Sequence, residues 1–140
     1  MKILIDTNLI LDIVLHRTDF FDASYNVLKL VTLGNAEALV TANTITDIYY
    51  ILHRSNKDPI KSKDALVQLL SIVGIADVLA SDVMATLSSK VTDFEDALAG
   101  TIAKRIKADY IVTRNTKDFN GSPVPAVDPK DFLMQSGSRE

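Results

Sequence analysis

The chain reads as an α/β protein, a three-layer α/β/α sandwich around a central parallel sheet of four to five strands. Two observations predict this. Short apolar runs such as Ile3-Leu4-Ile5, rich in β-branched residues and without alternation, have the character of strands buried on both faces. Between them lie longer stretches of helical periodicity, so that strand and helix alternate and the crossovers are right-handed βαβ units. The 140 residues fit one domain. It is expected to span 1–134, with the polar end 135–140 frayed.

In chain order, residues 2–6 form the first strand and 7–15 a helix ending near His16-Arg17. From Asp22 to Leu33, Tyr25, Leu28, Val31 and Thr32 keep a helical period, and Gly34 is a natural residue just past the helix end. Residues 37–41 form the second strand. Asn43 or Thr44 can cap a helix to about Arg54, with Ile45, Ile48, Tyr49 and Leu52 on its inner stripe. Asp58-Pro59 is a cap followed by proline in the first turn, opening a helix to about Val73 that buries Ala65, Leu66, Leu69 and Leu70. Gly74 ends it, Ile75 to Leu79 give a third strand, and Ser81 to Ser88 a small helix. Thr92-Asp93-Phe94-Glu95 fits the capping-box pattern, Thr at the cap and Glu three residues on, before a helix through Ile106. Asp109 to Thr113 form the fourth strand and Val124 to Val127 a short fifth. Asp128-Pro129 begins a last helical turn.

Composition narrows the function. With 47% hydrophobic residues the chain is a folded protein. It has no cysteine, which removes disulfides, thiolate zinc sites and cysteine nucleophiles together. The N-terminus is a strand broken at once by Asp6, unlike a signal peptide, and no apolar stretch reaches the ~18 residues of a membrane span. A cytoplasmic location is therefore expected, with no membrane partner. Five glycines, none in a G-x-G-x-x-G or G-K-[ST] setting, speak against a dinucleotide or triphosphate loop. A net charge of −3 argues against coating nucleic acid by bulk positive charge, yet leaves room for a nuclease whose acids are offset by metal. Basic residues are local: Lys104, Arg105 and Lys107 at one helix end, Arg54, Lys57, Lys61 and Lys63 around Pro59, and Arg114 and Lys117 beside Asn115. Helix-end cations complement the dipole. Arg114 and Lys117 are placed to meet a phosphate.

The informative pattern is acidic. Asp6 stands where the first strand gives way to a helix, the end of a parallel sheet at which ligands bind. Asp47 lies one turn into the helix after the second strand. Asp93 and Asp96, three apart, share a helix face in the first turn, and Ala97-Leu98-Ala99-Gly100 lets that helix pack closely. Glu95 is assigned to the capping box. Asn115 and Asp118 follow the fourth strand. Each position alone has a plainer role: an N-cap for Asp6, dipole complementation for Asp93 and Asp96, an Asx-turn for Asn115 or Asp118. Four strand ends or helix starts each carrying an acid or amide exceed what capping requires. His16 and His53 fall at helix ends without a nucleophile nearby. Of Tyr49-Tyr50, one ring is expected in the core and one at the surface, rather than a base-stacking pair.

Carboxylates brought to one point repel unless a cation neutralises them. Magnesium or manganese accepts such oxygen donors and keeps waters. Either ion polarises a phosphoryl oxygen and lowers the pKa of a bound water. Phosphodiester hydrolysis follows from that logic, and calcium storage or a phosphatase would satisfy it too.

Four stretches carry a resemblance: Ile3-Leu4-Ile5-Asp6-Thr7-Asn8, Thr44-Ile45-Thr46-Asp47-Ile48, Asp93-Phe94-Glu95-Asp96-Ala97-Leu98, and Ile111-Val112-Thr113-Arg114-Asn115-Thr116-Lys117-Asp118-Phe119. In order and length the chain resembles the PIN domain, the metal-dependent ribonuclease fold that includes VapC-type toxins of bacterial toxin–antitoxin pairs. The resemblance implies a Mg2+- or Mn2+-dependent endoribonuclease acting on RNA, an antitoxin partner and a homodimer. It implies that Asp6, Asp47 and Asp96 hold the metal, with Asp93 a further catalytic acid and Asn115 and Asp118 auxiliary. Two positions depart from the family pattern. Asp47 stands where Glu is more common, and Asn115 where many members have a fourth Asp. These departures support a second reading, a catalytically weak domain that binds RNA or protein. A receiver-type acidic domain would need a phosphorylatable Asp on a middle strand and a later strand ending in Lys, which the chain lacks.

Overall fold

In the computed structural model, which describes residues 1–137, five strands form one parallel sheet. They are β1 (Lys2–Ile5), β2 (Glu37–Thr41), β3 (Gly74–Ala76), β4 (Tyr110–Val112) and β5 (Ala126–Val127). The helices are α1 (Thr7–Val14), α2 (Phe21–Thr32), α3 (Ala42–Asn56), α4 (Pro59–Leu70), α5 (Ala80–Thr86), α6 (Phe94–Arg105) and α7 (Pro129–Gly137). A 3₁₀ turn spans Thr116–Phe119. The sheet order β3-β2-β1-β4-β5 puts the first strand in the middle. The chain builds outward from β1 through β2 to β3, then returns to the other side of β1 with β4. That reversal opens a crevice at the carboxyl ends of β1 and β4, the place where open α/β sheets take ligands.

The alternation of side chains along each strand divides the core. Ile3 and Ile5 of β1 and Val112 of β4 point into one layer, with Leu9, Ile10, Val27, Ile48, Leu69 and Phe132 from α1, α2, α3, α4 and α7. Leu4 and Ile111, one residue out of phase, point into the other, against Leu98, Ile102 and Ala103 of α6. Both faces are covered, which is why the strands are apolar without alternation. At Gly100 of α6 an added Cβ would lie 2.9 Å from Ser122 Oγ, so the small-residue face does allow a close approach there.

Several boundaries differ from the sequence reading. The third strand covers Gly74–Ala76 rather than 75–79, because its one neighbour, β2, ends at Thr41, opposite Ala76. Helix α4 stops at Leu70; Ser62 and Leu69 are its buried positions, while Leu70 is exposed. In α2 the inward face is Ser24, Val27, Leu28 and Val31, and Tyr25 is half exposed. The cap of α3 is Thr41 rather than Asn43 or Thr44. Asp58 caps α4 as expected, accepting from the Ile60 and Lys61 N–H groups, and Gly34 takes φ +81° as the chain leaves α2. Helix α7 runs through Gly137, into the stretch expected to fray; residues 138–140 lie outside the described residues. No helix among the described residues is long and apolar enough to cross a membrane.

Candidate active site

Asp6 sits at the topological switch. Its N–H bonds the Val112 carbonyl at 3.0 Å, extending the β1–β4 ladder by one step. Its carboxylate does not cap the helix it opens. Oδ2 instead accepts a 2.8 Å hydrogen bond from the hydroxyl of Thr113, a fully buried residue at the end of β4. Asp6 thus stands at the N-cap position without a side-chain cap bond, and Thr113, passed over as an ordinary strand residue, becomes the group that orients it. The starts of α1 and α3 are joined beside it by hydroxyls, Thr44 Oγ1 meeting Thr7 Oγ1 at 3.1 Å and Thr41 Oγ1 at 2.9 Å.

A cleft of about 450 Å³ opens there, lined by Asp6, Asp47, Asp93, Glu95 and Asp96 together with Thr7, Asn8, Tyr50 and Arg54. The four acids expected to converge do line one cleft. The fifth is a correction: Glu95 does not serve a capping box. The cap of α6 is Asp93, whose Oδ1 accepts from the Asp96 N–H at 3.0 Å. The helix thus starts one residue later than the Thr92 pattern implied, and Glu95 turns into the cleft, hydrogen-bonded to Asp47.

Crowded acids resist ionisation. The Glu95 carboxyl is pushed up to about 7, chiefly by its hydrogen bond to Asp47, then by burial and the charges of Asp47, Asp93 and Asp96. Asp96 rises to about 6, chiefly through burial and then through the charges of Asp6, Asp93 and Asp118. Asp6 is also raised, burial outweighing the Thr113 hydrogen bond, the Thr7 N–H and the Arg114 charge. Asp118, outside the cleft lining, still acts on it through its field at Asp6 and Asp96.

The remaining candidates lie elsewhere. Asn115 lines a neighbouring recess with Phe20, Ser24, Arg114 and Asp128, and its N–H bonds Thr113 Oγ1. Arg114 is engaged inside the fold, its Nε on buried Asp12 at 3.0 Å and its guanidinium 4.1 Å above the Phe20 ring. Lys117 is exposed in the 3₁₀ turn. His16 packs on Phe21 and His53 on Tyr49; neither lines the cleft.

The family model of the PIN domain matches residues 2–117. The chain belongs to the PIN domain family. It is 25% identical over 134 residues to Ribonuclease VapC1 of Aquifex aeolicus, covering 94% of this chain and 92% of that one. Among solved structures, the fold is shared with VapBC2 from Rickettsia felis bound to a DNA fragment from their promoter. That match has a TM-score of 0.71 and 20% identity, over 91% of this chain and 98% of the other. A Pyrobaculum aerophilum protein matches with a TM-score of 0.68 and 14% identity, over 99% and 96%.

PIN domain nucleases generally use divalent metal ions, and the donors present fit a hard cation. The cleft offers oxygen ligands only, and their ionised forms repel in the absence of a positive charge. Among the described residues no three Asp, Glu or His side chains are gathered into a ready-made cage. The fit therefore rests on donor chemistry and charge, with water completing the coordination.

Proposed function

We propose that this PIN domain is a Mg2+- or Mn2+-dependent endoribonuclease, the toxin of a toxin–antitoxin pair. One observation supports the reading above the others: five carboxylates line one cleft at the switch point of the sheet, with three of them held above their ordinary pKa. Carboxylates perturbed in this way concentrate at functional sites. Kinship to a protein named a ribonuclease indicates RNA as the substrate.

Asp6, Asp47 and Asp96 are the residues that would hold the ion, with Glu95 and Asp93 beside them. When bound, the ion supplies phosphoryl polarisation and an acidified water. The chain's own groups do the rest. Thr113 fixes Asp6 in one orientation. Asp93 spends one oxygen on the start of α6 and so anchors Asp96. Glu95, its carboxyl pushed up to about 7, is suited to accept or return a proton at the cleft edge. An antitoxin, a homodimer and a cytoplasmic location complete the proposal. The VapBC2 likeness supports the antitoxin; the homodimer and the location rest on the family resemblance alone.

The test is hydrolysis of RNA pools by purified protein, with magnesium or manganese added and then chelated. Cleavage that needs the ion and stops on chelation is expected. A protein that binds RNA without any ion-dependent cleavage, and gains cleavage on Asn115→Asp, would favour the binding-domain alternative.

A further inference from the structure

The cleft has a wall the acids do not explain. On α3, Asp47, Tyr50, Ile51 and Arg54 follow one another at three- and four-residue spacing and all line it. Tyr50 is 62% exposed, an uncommon position for an aromatic ring of a folded domain. Its ring meets Tyr49 edge-on at 5.6 Å, and Tyr49 in turn stacks on His53 at 5.7 Å, so the exposed ring is braced. Arg54 is also exposed, and it behaves unlike the other described arginines. Arg17 and Arg114 bond Asp12 and Arg105 bonds Asp82, whereas Arg54 makes no ion pair among the described residues, although it lines the same cleft as five carboxylates.

We infer that Tyr50 and Arg54 hold a single-stranded segment of RNA along α3, an unstacked base lying on the Tyr50 ring and a phosphate on the Arg54 guanidinium. The inference rests on the reading of this cleft as an RNA site and names the residues of this chain that position the strand. A flat exposed ring offers its energy to any base with a free face, and a duplex, whose bases are already stacked, presents none. The guanidinium fork matches phosphate oxygens and supplies the positive charge that an acid-lined cleft lacks toward a polyanion. Tyr50 and Arg54 are thus positioning residues, on the same helix face as Asp47 and within reach of the reacting phosphodiester's neighbours.

Binding and cleavage separate the possibilities. Anisotropy of labelled mixed-sequence single-stranded RNA and of its annealed duplex is measured with magnesium in the Asp6→Asn protein, in which turnover is stopped and the α3 wall kept. Adding Tyr50→Ala should weaken single-strand binding roughly tenfold, the scale of one lost stacking contact, and leave duplex binding unchanged. Tyr50→Phe should retain it. Arg54→Gln should flatten the dependence of log affinity on log salt by about 0.7, one phosphate contact on a single strand, a change Tyr50→Ala should not produce. Unchanged single-strand affinity in both variants, or duplex bound as well as single strand and weakened as much, overturns the inference. Ion-dependent cleavage by wild type together with unchanged KM in Tyr50→Ala and Arg54→Gln discards the wall and keeps the nuclease. The expected binding signature without any wild-type cleavage discards the nuclease and keeps the wall. A protein that binds no RNA loses this inference outright.

Discussion

Carboxylates are treated in two opposite ways in this molecule. Asp12, with no exposure at all, is met by Arg17 at 3.3 Å, Arg114 at 3.0 Å and the Ser24 hydroxyl at 3.4 Å. Asp82, nearly as buried, is gripped by Arg105, whose Nε reaches both oxygens at 2.9 and 3.2 Å. Burial alone would raise Asp82, but the Arg105 and Leu79 hydrogen bonds and the Arg105 charge together hold it below the ordinary range. At the cleft, five acids share space with one arginine among the described residues that line it, and that arginine pairs with none of them. The fold is therefore able to neutralise a buried acid wherever structure requires it. Asp6, Glu95 and Asp96 have no such ion pair and stay above their ordinary range, which supports the proposal that a cation from outside the chain completes the site.

The contrast can be broken most severely at Asp6. Asp6→Ala should cut RNA cleavage by at least about a thousandfold, since a lost ligand forfeits several kcal/mol of phosphoryl and water activation. Circular dichroism should show the fold retained, because the change removes one side-chain hydrogen bond, that of Thr113, and leaves the backbone ladder between β1 and β4 in place. Asp12→Ala should do the reverse. Stranding two partly exposed arginines should cost toward about 3 kcal/mol of stability, read by urea unfolding, with cleavage per folded molecule far less affected than in Asp6→Ala.

Much of this contrast was legible from the sequence, and the misses share a cause. Asp6, Asp47, Asp93 and Asp96 could be read because each sits at a strand end or first helical turn, where local spacing and parallel-sheet topology together indicate direction. Glu95 was lost to a one-residue error in helix phase. With Thr92 as cap it completes a box, but with Asp93 as cap it stands at the second helical position and faces the cleft. Asp12 was invisible because its partner Arg114 lies 102 residues away, and no spacing rule spans that distance. Thr113 looked like strand filler until β4 was known to lie beside β1. The sheet itself was readable from its unalternating apolar runs, whereas the length of β3 was set by where β2 stops.

Titration sharpens the comparison. With folded-state pKa values raised to about 7 for Glu95 and about 6 for Asp96, the folded metal-free protein holds protons that the unfolded chain has already lost. Their stabilising contribution is complete below the unfolded values of 4.5 and 3.8, and disappears as pH rises to about 7. Asp82 acts oppositely, its contribution present above 3.8 and lost toward lower pH. Thermal melts in chelator from pH 4.5 to 8 should therefore show falling Tm as pH rises. Glu95→Gln or Asp96→Asn should flatten the fall, and saturating magnesium should offset it by binding the folded form. The smallest expected effect is at Asn115, whose side chain borders the neighbouring recess. Asn115→Asp should change cleavage by no more than about twofold, the effect of a surface substitution, in steady-state assays.

The central contrast, acids reserved for an external ion against acids neutralised from within, comes down to where a divalent ion binds. Electron paramagnetic resonance titration of Mn2+ at pH 7.5 reads this directly, without substrate or turnover. Wild type should bind the ion, Asp6→Asn and Asp96→Asn should bind it at least about tenfold more weakly, and Asp82→Asn, if folded, should match wild type. Binding that is absent in wild type, or indifferent to Asp6 and Asp96, would contradict the reservation of these acids for a cation.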